Sequence, residues 1–357
     1  MSEQHPGTPA PSDPAPTAPS TPSATPVPDS VGGLTDVPGV RVGHAQRTGD
    51  GWLTGVTVVL PPPGTVAGVD VRGGGPGTHE TDALDPRTLV PTADAVVLTG
   101  GSAYGLVAAH GVQRWLAERD RGFRVEEGWG EVVPIVPAAA VFDLGRGGQF
   151  DAHPTEAMGY EAVDAAVPGP VPRGSVGAGT GAAIAMQRRK GGVGTASVRL
   201  PAPLDRVVVG AVAVVNAAGA PLGAPFPDAP AGAGPVPAVA PLNTTVAVVA
   251  TSAALDPAET SRTATAAHAG LARALDPVHT LVDGDTVFAL ATGAVALPGG
   301  ASPAERAARV AALVQVQAAA ARALELAVLD GIRSATAVRT AGADLPAWDG
   351  PLPTMGA

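Results

Sequence analysis

A hydroxyl residue that opens a strand directly after an asparagine is a place where a chain can attack itself. Asn243-Thr244-Thr245-Val246-Ala247-Val248-Val249-Ala250-Thr251 has that form. An internal threonine is a weak nucleophile, because nothing built into the residue takes its proton. If the peptide bond before Thr244 breaks, the residue gains an α-amine. Such an amine, with a pKa of roughly 7.7–8, is partly neutral at pH 7 and can act as base for its own hydroxyl. The chemistry this suggests is an N-to-O acyl shift. The Thr244 oxygen attacks the Asn243 carbonyl, the ester hydrolyses, and Thr244 becomes a new chain start. The plain alternative is a turn residue followed by a β-branched strand.

Further along, Leu281-Val282-Asp283-Gly284-Asp285-Thr286-Val287-Phe288 sets two carboxylates around a glycine beside another strand. One could hold the Thr244 ammonium or hydroxyl while the other orients the first. An Asp-Gly hairpin turn is the competing reading. A calcium loop would need further oxygen ligands and a closing glutamate that this segment lacks.

Other runs invite different chemistry. Gly177-Ala178-Gly179-Thr180-Gly181 fails the spacing of a dinucleotide fingerprint, and Lys190-Gly191 has neither the preceding glycine pattern nor the following hydroxyl of a phosphate loop. Glycines this dense serve close backbone approach or aim N–H groups at an oxyanion. In Gly100-Gly101-Ser102-Ala103-Tyr104-Gly105, Tyr104 occupies the last glycine place of a nucleophile elbow built on Ser102. The seven histidines show no metal-binding spacing and read as surface or core residues, so neither a metal nor a cofactor is expected.

Composition narrows the class. Of 357 residues, 45% are apolar and 15% charged, enough to bury a large core. A net charge of −10 without any basic run speaks against nucleic acid. With no cysteine, disulfides and thiol nucleophiles are excluded. Residues 1–31 are rich in Pro, Ala and Thr and read as a disordered tail; they lack the pattern of a signal peptide. The apolar runs are broken by Gly and Pro, so no membrane span and a cytoplasmic location are expected.

The elements that must position these residues follow from periodicity. Strands are expected at Gly55–Leu60, Ala93–Leu98, within Val132–Asp143, at Val207–Asn216, from Thr244, and from Thr286. Helices are expected up to Glu118, over His153–Val167, from Asp256 to about Leu275, and from Ser302. Asp256-Pro257-Ala258-Glu259 and Ser302-Pro303-Ala304-Glu305 both spell a cap, a first-turn proline and a closing acid. Val310–Leu329 is apolar nearly all round and reads as buried, either between layers or against another subunit. Residues 220–242 read as a mobile linker ahead of the proposed cut. Sheets enclosed by helices fit this order best.

The motifs Gly33-Leu34-Thr35-Asp36-Val37-Pro38-Gly39-Val40-Arg41-Val42-Gly43-His44, Leu98 through Leu106, Lys190 through Thr195, Asn243-Thr244-Thr245 and Asp283-Gly284-Asp285-Thr286 recur here in the order known from one family. Over roughly residues 32–295 the chain resembles the DmpA-type self-cleaving peptidases, a group of L-aminopeptidase/D-esterases, β-peptidyl aminopeptidases and nylon-oligomer hydrolases. The resemblance implies an α-β-β-α sandwich akin to the N-terminal-nucleophile hydrolases. It implies a cut between an α chain, 32–243, and a β chain, 244–357, and commonly a homotetramer of the pair. It implies that Thr244 is the nucleophile, Asn243 gives the cleaved carbonyl, Asn216 binds the oxyanion and Tyr104 lies in the substrate pocket. Lys190 would stabilise charge during cleavage, and Asp283 and Asp285 would position Thr244. Threonine with paired aspartates is closer to the nylon-oligomer and pantetheine-amide branch than to the β-aminopeptidases, which carry Ser and Ser-x-Glu. The expected substrate is therefore a small peptide or oligoamide. Strict aminopeptidase specificity, ornithine-acetyltransferase-like acyl transfer, and a non-catalytic assembly role are the alternatives.

Overall fold

The computed structural model describes Met1, residues 32–227 and residues 242–353. The rest of the proline-rich tail lies outside the described residues. In chain order the main strands are β1 (Arg41–Gly49), β2 (Trp52–Leu60), β3 (Val66–Val71), β4 (Thr78–His79), β5 (Val96–Thr99) and β6 (Ala138–Ala140). They continue with β7 (Gly192–Arg199), β8 (Val208–Asn216), β9 (Thr244–Ala253) and β10 (Thr286–Val295). The helices are α1 (Ser102–Gly105), α2 (Ala108–Ala117), α3 (Glu156–Asp164), α4 (Pro257–Ala274) and α5 (Pro303–Ser334).

Two five-stranded sheets result, in the orders β1-β2-β5-β6-β4 and β7-β8-β9-β10-β3. Alternation along the central strands sorts side chains between layers. Val246, Val248 and Ala250 of β9 join Val212 and Val214 of β8 and Phe288 and Leu290 of β10 in a core shared with the first sheet through Val59, Val96 and Leu98. The intervening Ala247, Val249, Val209, Ala211 and Val287 pack on Ala264, Leu271, Leu324 and Val328 of α4 and α5. On the outer side of the first sheet, Val56, Val58 and Val97 pack on Val112, Leu116, Met158 and Ala162 of α2 and α3. The protein is a four-layer α-β-β-α sandwich. Strands covered on both faces are apolar along most of their length, which is why 208–215 of β8 and 246–250 of β9 read as unbroken runs. Each large side chain in the inter-sheet core contributes roughly 1.5–3 kcal/mol by leaving water.

Most pairings are antiparallel, but β5 and β6 run parallel, as do β9 and β10, with Val246 opposite Thr286 and Val248 opposite Phe288. A parallel pair needs a crossover, and α4 supplies that of β9 and β10. Both strands therefore begin at the same end of the sheet. This places the 280–285 loop beside Asn243 and Thr244. The cap of α4 is as expected: Asp256 Oδ1 accepts from Glu259 N at 2.7 Å, and Glu259 Oε2 accepts from Asp256 N at 3.1 Å. Ser302 and Glu305 close the same box on α5.

Two expectations need correction. Helix α5 is not enclosed between layers throughout: within this chain Val310 and Val314 are exposed, and burial is continuous only from Ala319 to Ile332, apart from Arg322. Its rows of small alanines present no single apolar stripe, so the buried face was not readable. It is long and apolar enough to cross a membrane, yet its most apolar window is 67% buried within the protein. The segment read as linker starts with a short buried strand, Ala220–Pro221, paired with Leu275–Asp276. Residues 228–241 of that segment lie outside the described residues.

Candidate active site

Thr244 is the first residue of β9, directly opposite Asn216, the last residue of β8. The parity of Val246 and Val248 puts Thr244 on the inter-sheet face, and that of Val212 and Val214 does the same for Asn216. The residue before Thr244 is clamped by the aspartate loop. Asn243 N–H donates to Val282 O at 2.9 Å, and Gly284 N–H donates to Asn243 O at 3.0 Å. The Thr244 hydroxyl donates to that same Asn243 oxygen in a short contact. One carbonyl thus meets both a backbone donor and the neighbouring hydroxyl, in a buried place.

The two carboxylates hold backbone rather than the Thr244 side chain. Asp285 Oδ1 accepts from Thr245 N at 2.7 Å, while Oδ2 accepts from His279 N at 3.0 Å and His279 Nδ1 at 2.8 Å. Asp283 accepts from Ala218 N at 3.3 Å and, at the other oxygen, from Thr280 N at 2.9 Å and Thr280 Oγ1 at 2.5 Å. Burial raises the Asp283 carboxyl pKa and the neighbouring Asp285 adds to this, while the Thr280 hydrogen bonds oppose it. His279 has a left-handed backbone, φ 58°, and its ring lies edge-on to that of buried His268 at 4.8 Å.

Asn216 is fully buried. Its Oδ1 accepts from Arg146 Nη1 at 2.6 Å and from Ala183 N at 3.0 Å. Its Nδ2 has no hydrogen-bond partner among the described residues. Lys190 lies behind it: the adjoining Gly191 approaches the Val215 carbonyl so closely that a Cβ would stand 2.0 Å from the oxygen. Lys190 Nζ donates to the carbonyls of Gly179 and Gly191, both at 2.7 Å, and no hydrogen bond joins it to Thr244 among the described contacts. Burial lowers its pKa to about 7, helped by the Arg146 charge and opposed by Asp143. Two carbonyls match the two N–H donors of a neutral amine.

This makes stability pH-dependent in a definite sense. In the unfolded chain a lysine holds its proton to about pH 10.4, so between neutral pH and that value the unfolded state binds more protons and stability rises with pH, by up to about 1.4 kcal/mol per unit. Denaturant unfolding of wild type and Lys190→Met between pH 6.5 and 9 should show wild type gaining relative to the variant as pH rises. A difference flat in pH would contradict a neutral Lys190.

Tyr104 makes no hydrogen bond to Thr244, Asn216 or the two aspartates among the described contacts. It is 62% exposed on α1 and stacks on His153 at 5.4 Å. Ser102 has a left-handed φ of 51°, as an elbow would, but no hydrogen bond joins its hydroxyl to His153 among the described contacts. The glycines at 179 and 181 serve close approach: Cβ atoms there would meet Val193 N at 2.4 Å and Leu53 O at 2.2 Å.

Sequence reasoning missed three contributors. Arg72-Gly73-Gly74-Gly75-Pro76-Gly77 forms a strap whose N–H groups hold the aspartate loop: Arg72 and Gly73 on Asp285 O, Gly74 on Thr280 O, and Gly75 on Asp283 O at 2.8 Å. A glycine run straight after a strand was the available signal. His279 and Arg146 carried none, since only the fold brings them to Asp285 and Asn216.

The fold just described is similar to those of solved structures. The L-aminopeptidase D-Ala-esterase/amidase of Ochrobactrum anthropi, described as a variant of the Ntn hydrolase fold, superposes with a TM-score of 0.68 at 23% identity, covering 91% of this chain and 93% of that one. A Burkholderia sp. β-aminopeptidase matches with a TM-score of 0.66 at 26% identity over 91% and 92% of the two chains. The fold is thus that of the N-terminal-nucleophile hydrolases. Among sequence relatives, an uncharacterized aminopeptidase of Mycobacterium bovis is 48% identical over 340 residues, 85% of this chain and 94% of that protein. The 6-aminohexanoate-oligomer endohydrolase of Paenarthrobacter ureafaciens is 32% identical over 283 residues, 74% and 76% of the two. The chain belongs to peptidase family S58, whose model matches residues 32–344. It is accordingly a peptide or amide hydrolase of the DmpA type.

Proposed function

We propose that the protein is a self-processing amide hydrolase, cut between Asn243 and Thr244, that works through an acyl-enzyme on the new N-terminal threonine. The observation that carries this reading is the clamped Asn243 carbonyl, which accepts from both Gly284 N–H and the Thr244 hydroxyl. In the first reaction Thr244 Oγ1 bonds to the Asn243 carbonyl carbon, and the oxygen becomes an oxyanion held by Gly284 N–H. The carbon–nitrogen bond breaks, and the hydroxyl proton passes to the departing nitrogen. Water then hydrolyses the ester, leaving an Asn243 carboxylate and a free Thr244 amine.

In turnover that amine takes the hydroxyl proton as Oγ1 attacks the substrate carbonyl and returns it to the leaving amine. Water, giving its proton to the same amine, then cleaves the Thr244 ester, releasing the acid and restoring the hydroxyl. Gly284 N–H and the unpartnered Asn216 Nδ2 are the donors available to the oxyanion. Asp285, by holding Thr245 N–H, fixes the strand that carries the nucleophile. The substrate class is a small peptide or oligoamide, in keeping with relatives named for aminopeptidase and 6-aminohexanoate-oligomer hydrolysis.

Intact mass of the purified protein tests the reading together with amine release from amino-acid amides, β-peptides and 6-aminohexanoate oligomers. Two masses meeting at the 243/244 bond and release from at least one panel member are expected. A single full-length species that hydrolyses these substrates would refute it.

A further inference from the structure

Arg146 is only 5% exposed, and burying a guanidinium is costly unless it is used. Its Nη1 donates to Gly181 O and to Asn216 Oδ1, each at 2.6 Å, while Nη2 has no partner among the described residues. Asp143, also buried, lies near enough for its charge to offset that of Arg146. The bond to Asn216 has a chemical consequence. An amide whose oxygen takes two N–H donors, from Arg146 and from Ala183, has its orientation decided: its NH2 end must point away from both. That end is the one without a partner, on a residue directly opposite Thr244. A cation on the carbonyl side draws electron density from the amide and strengthens its N–H groups as donors, the more so in a buried, low-dielectric place.

We infer that Arg146 is a positioning residue for the reaction: its guanidinium locks and polarises the Asn216 amide, so that Nδ2 is presented as a strengthened donor to the oxyanion formed beside Thr244. This rests on the reading of Thr244 as nucleophile and Asn216 as oxyanion donor. Both self-cleavage and turnover pass through such an oxyanion, so both depend on Arg146. Substrate binding in the ground state does not.

The test separates charge from hydrogen bonding. Arg146→Gln keeps a donor without the charge, and Arg146→Lys keeps the charge. The glutamine variant should lose about tenfold or more in kcat, with KM within about twofold and self-cleavage slowed in step. The lysine variant should keep kcat within about fivefold of wild type. Wild-type rates in the glutamine variant, equal losses in both variants, or a loss confined to KM would each overturn the proposal. Should the glutamine variant not fold, the lysine variant decides alone: a folded, charge-retaining enzyme slowed about a hundredfold would overturn it. A Thr244→Ala control keeps the two readings apart. If that control is uncut and inactive while Arg146→Gln behaves as wild type, only the Arg146 proposal falls. If the control cuts or turns over, the nucleophile assignment itself fails.

Discussion

A Thr244→Ala chain should remain in one piece and lose activity by a factor on the order of 10⁴–10⁶, the scale seen when a nucleophile is removed. The physical reason is twofold. Without Oγ1 nothing adjoins the Asn243 carbonyl that can attack it, so no terminal amine is ever released. Without both hydroxyl and amine, the site has neither nucleophile nor base for a substrate. Thr244 is buried at the start of β9, and alanine leaves the strand pairing with Asn216 intact, so the fold should survive. Thr244→Ser should still cut and turn over, because it keeps the oxygen in place. A denaturing gel and an amide-hydrolysis assay decide the matter: two bands from the alanine variant would remove Thr244 from the mechanism.

Gly284→Ala should have the next largest effect. A Cβ at this position would stand 2.7 Å from Thr244 Oγ1, 2.8 Å from Gly75 O and 3.2 Å from Pro76 Cα. Two of these neighbours are backbone of the strap and cannot rotate away, so the methyl must displace either the hydroxyl or the loop. In the first case the nucleophile leaves the Asn243 carbonyl. In the second, Gly284 N–H leaves the same oxygen. Both outcomes remove an element of the clamp, and losing one oxyanion donor costs roughly 10²–10³ in rate. Self-cleavage followed by gel after synthesis should slow by about that factor, with an overpacking cost to stability of about 1–3 kcal/mol. Cleavage at the wild-type rate would show that the close approach of Gly284 is unrelated to the cut.

How far the chain could be read from its residues depended on the range of the interactions. Capping boxes at Asp256 and Ser302 are local, and both formed where the residues spelled them. The runs at Val208–Asn216 and Thr244–Ala253 announced doubly covered strands, and the polar residues at their ends stood out against the apolar background. Arg146 is different. It lies 70 positions from Asn216, and nothing in its neighbours separates it from a surface arginine. His279 likewise had no motif, because its meaning comes from a left-handed turn that folds its ring onto Asp285. The pair Asp283 and Asp285 is legible as a positioning device, but its partners are not: their bonds run to the backbone of Ala218, Thr245, His279 and Thr280 and to the side chains of His279 and Thr280.

The strand order of the second sheet carries a last consequence. β9 and β10 follow the Asn243–Thr244 bond, yet they sit between β8 on one side and β3 on the other, both of which precede it. Severing that bond would leave two polypeptides interleaved like the fingers of clasped hands. Neither could depart without tearing two ladders of hydrogen bonds, so the nicked molecule should behave as one body and should not trade partners with its neighbours.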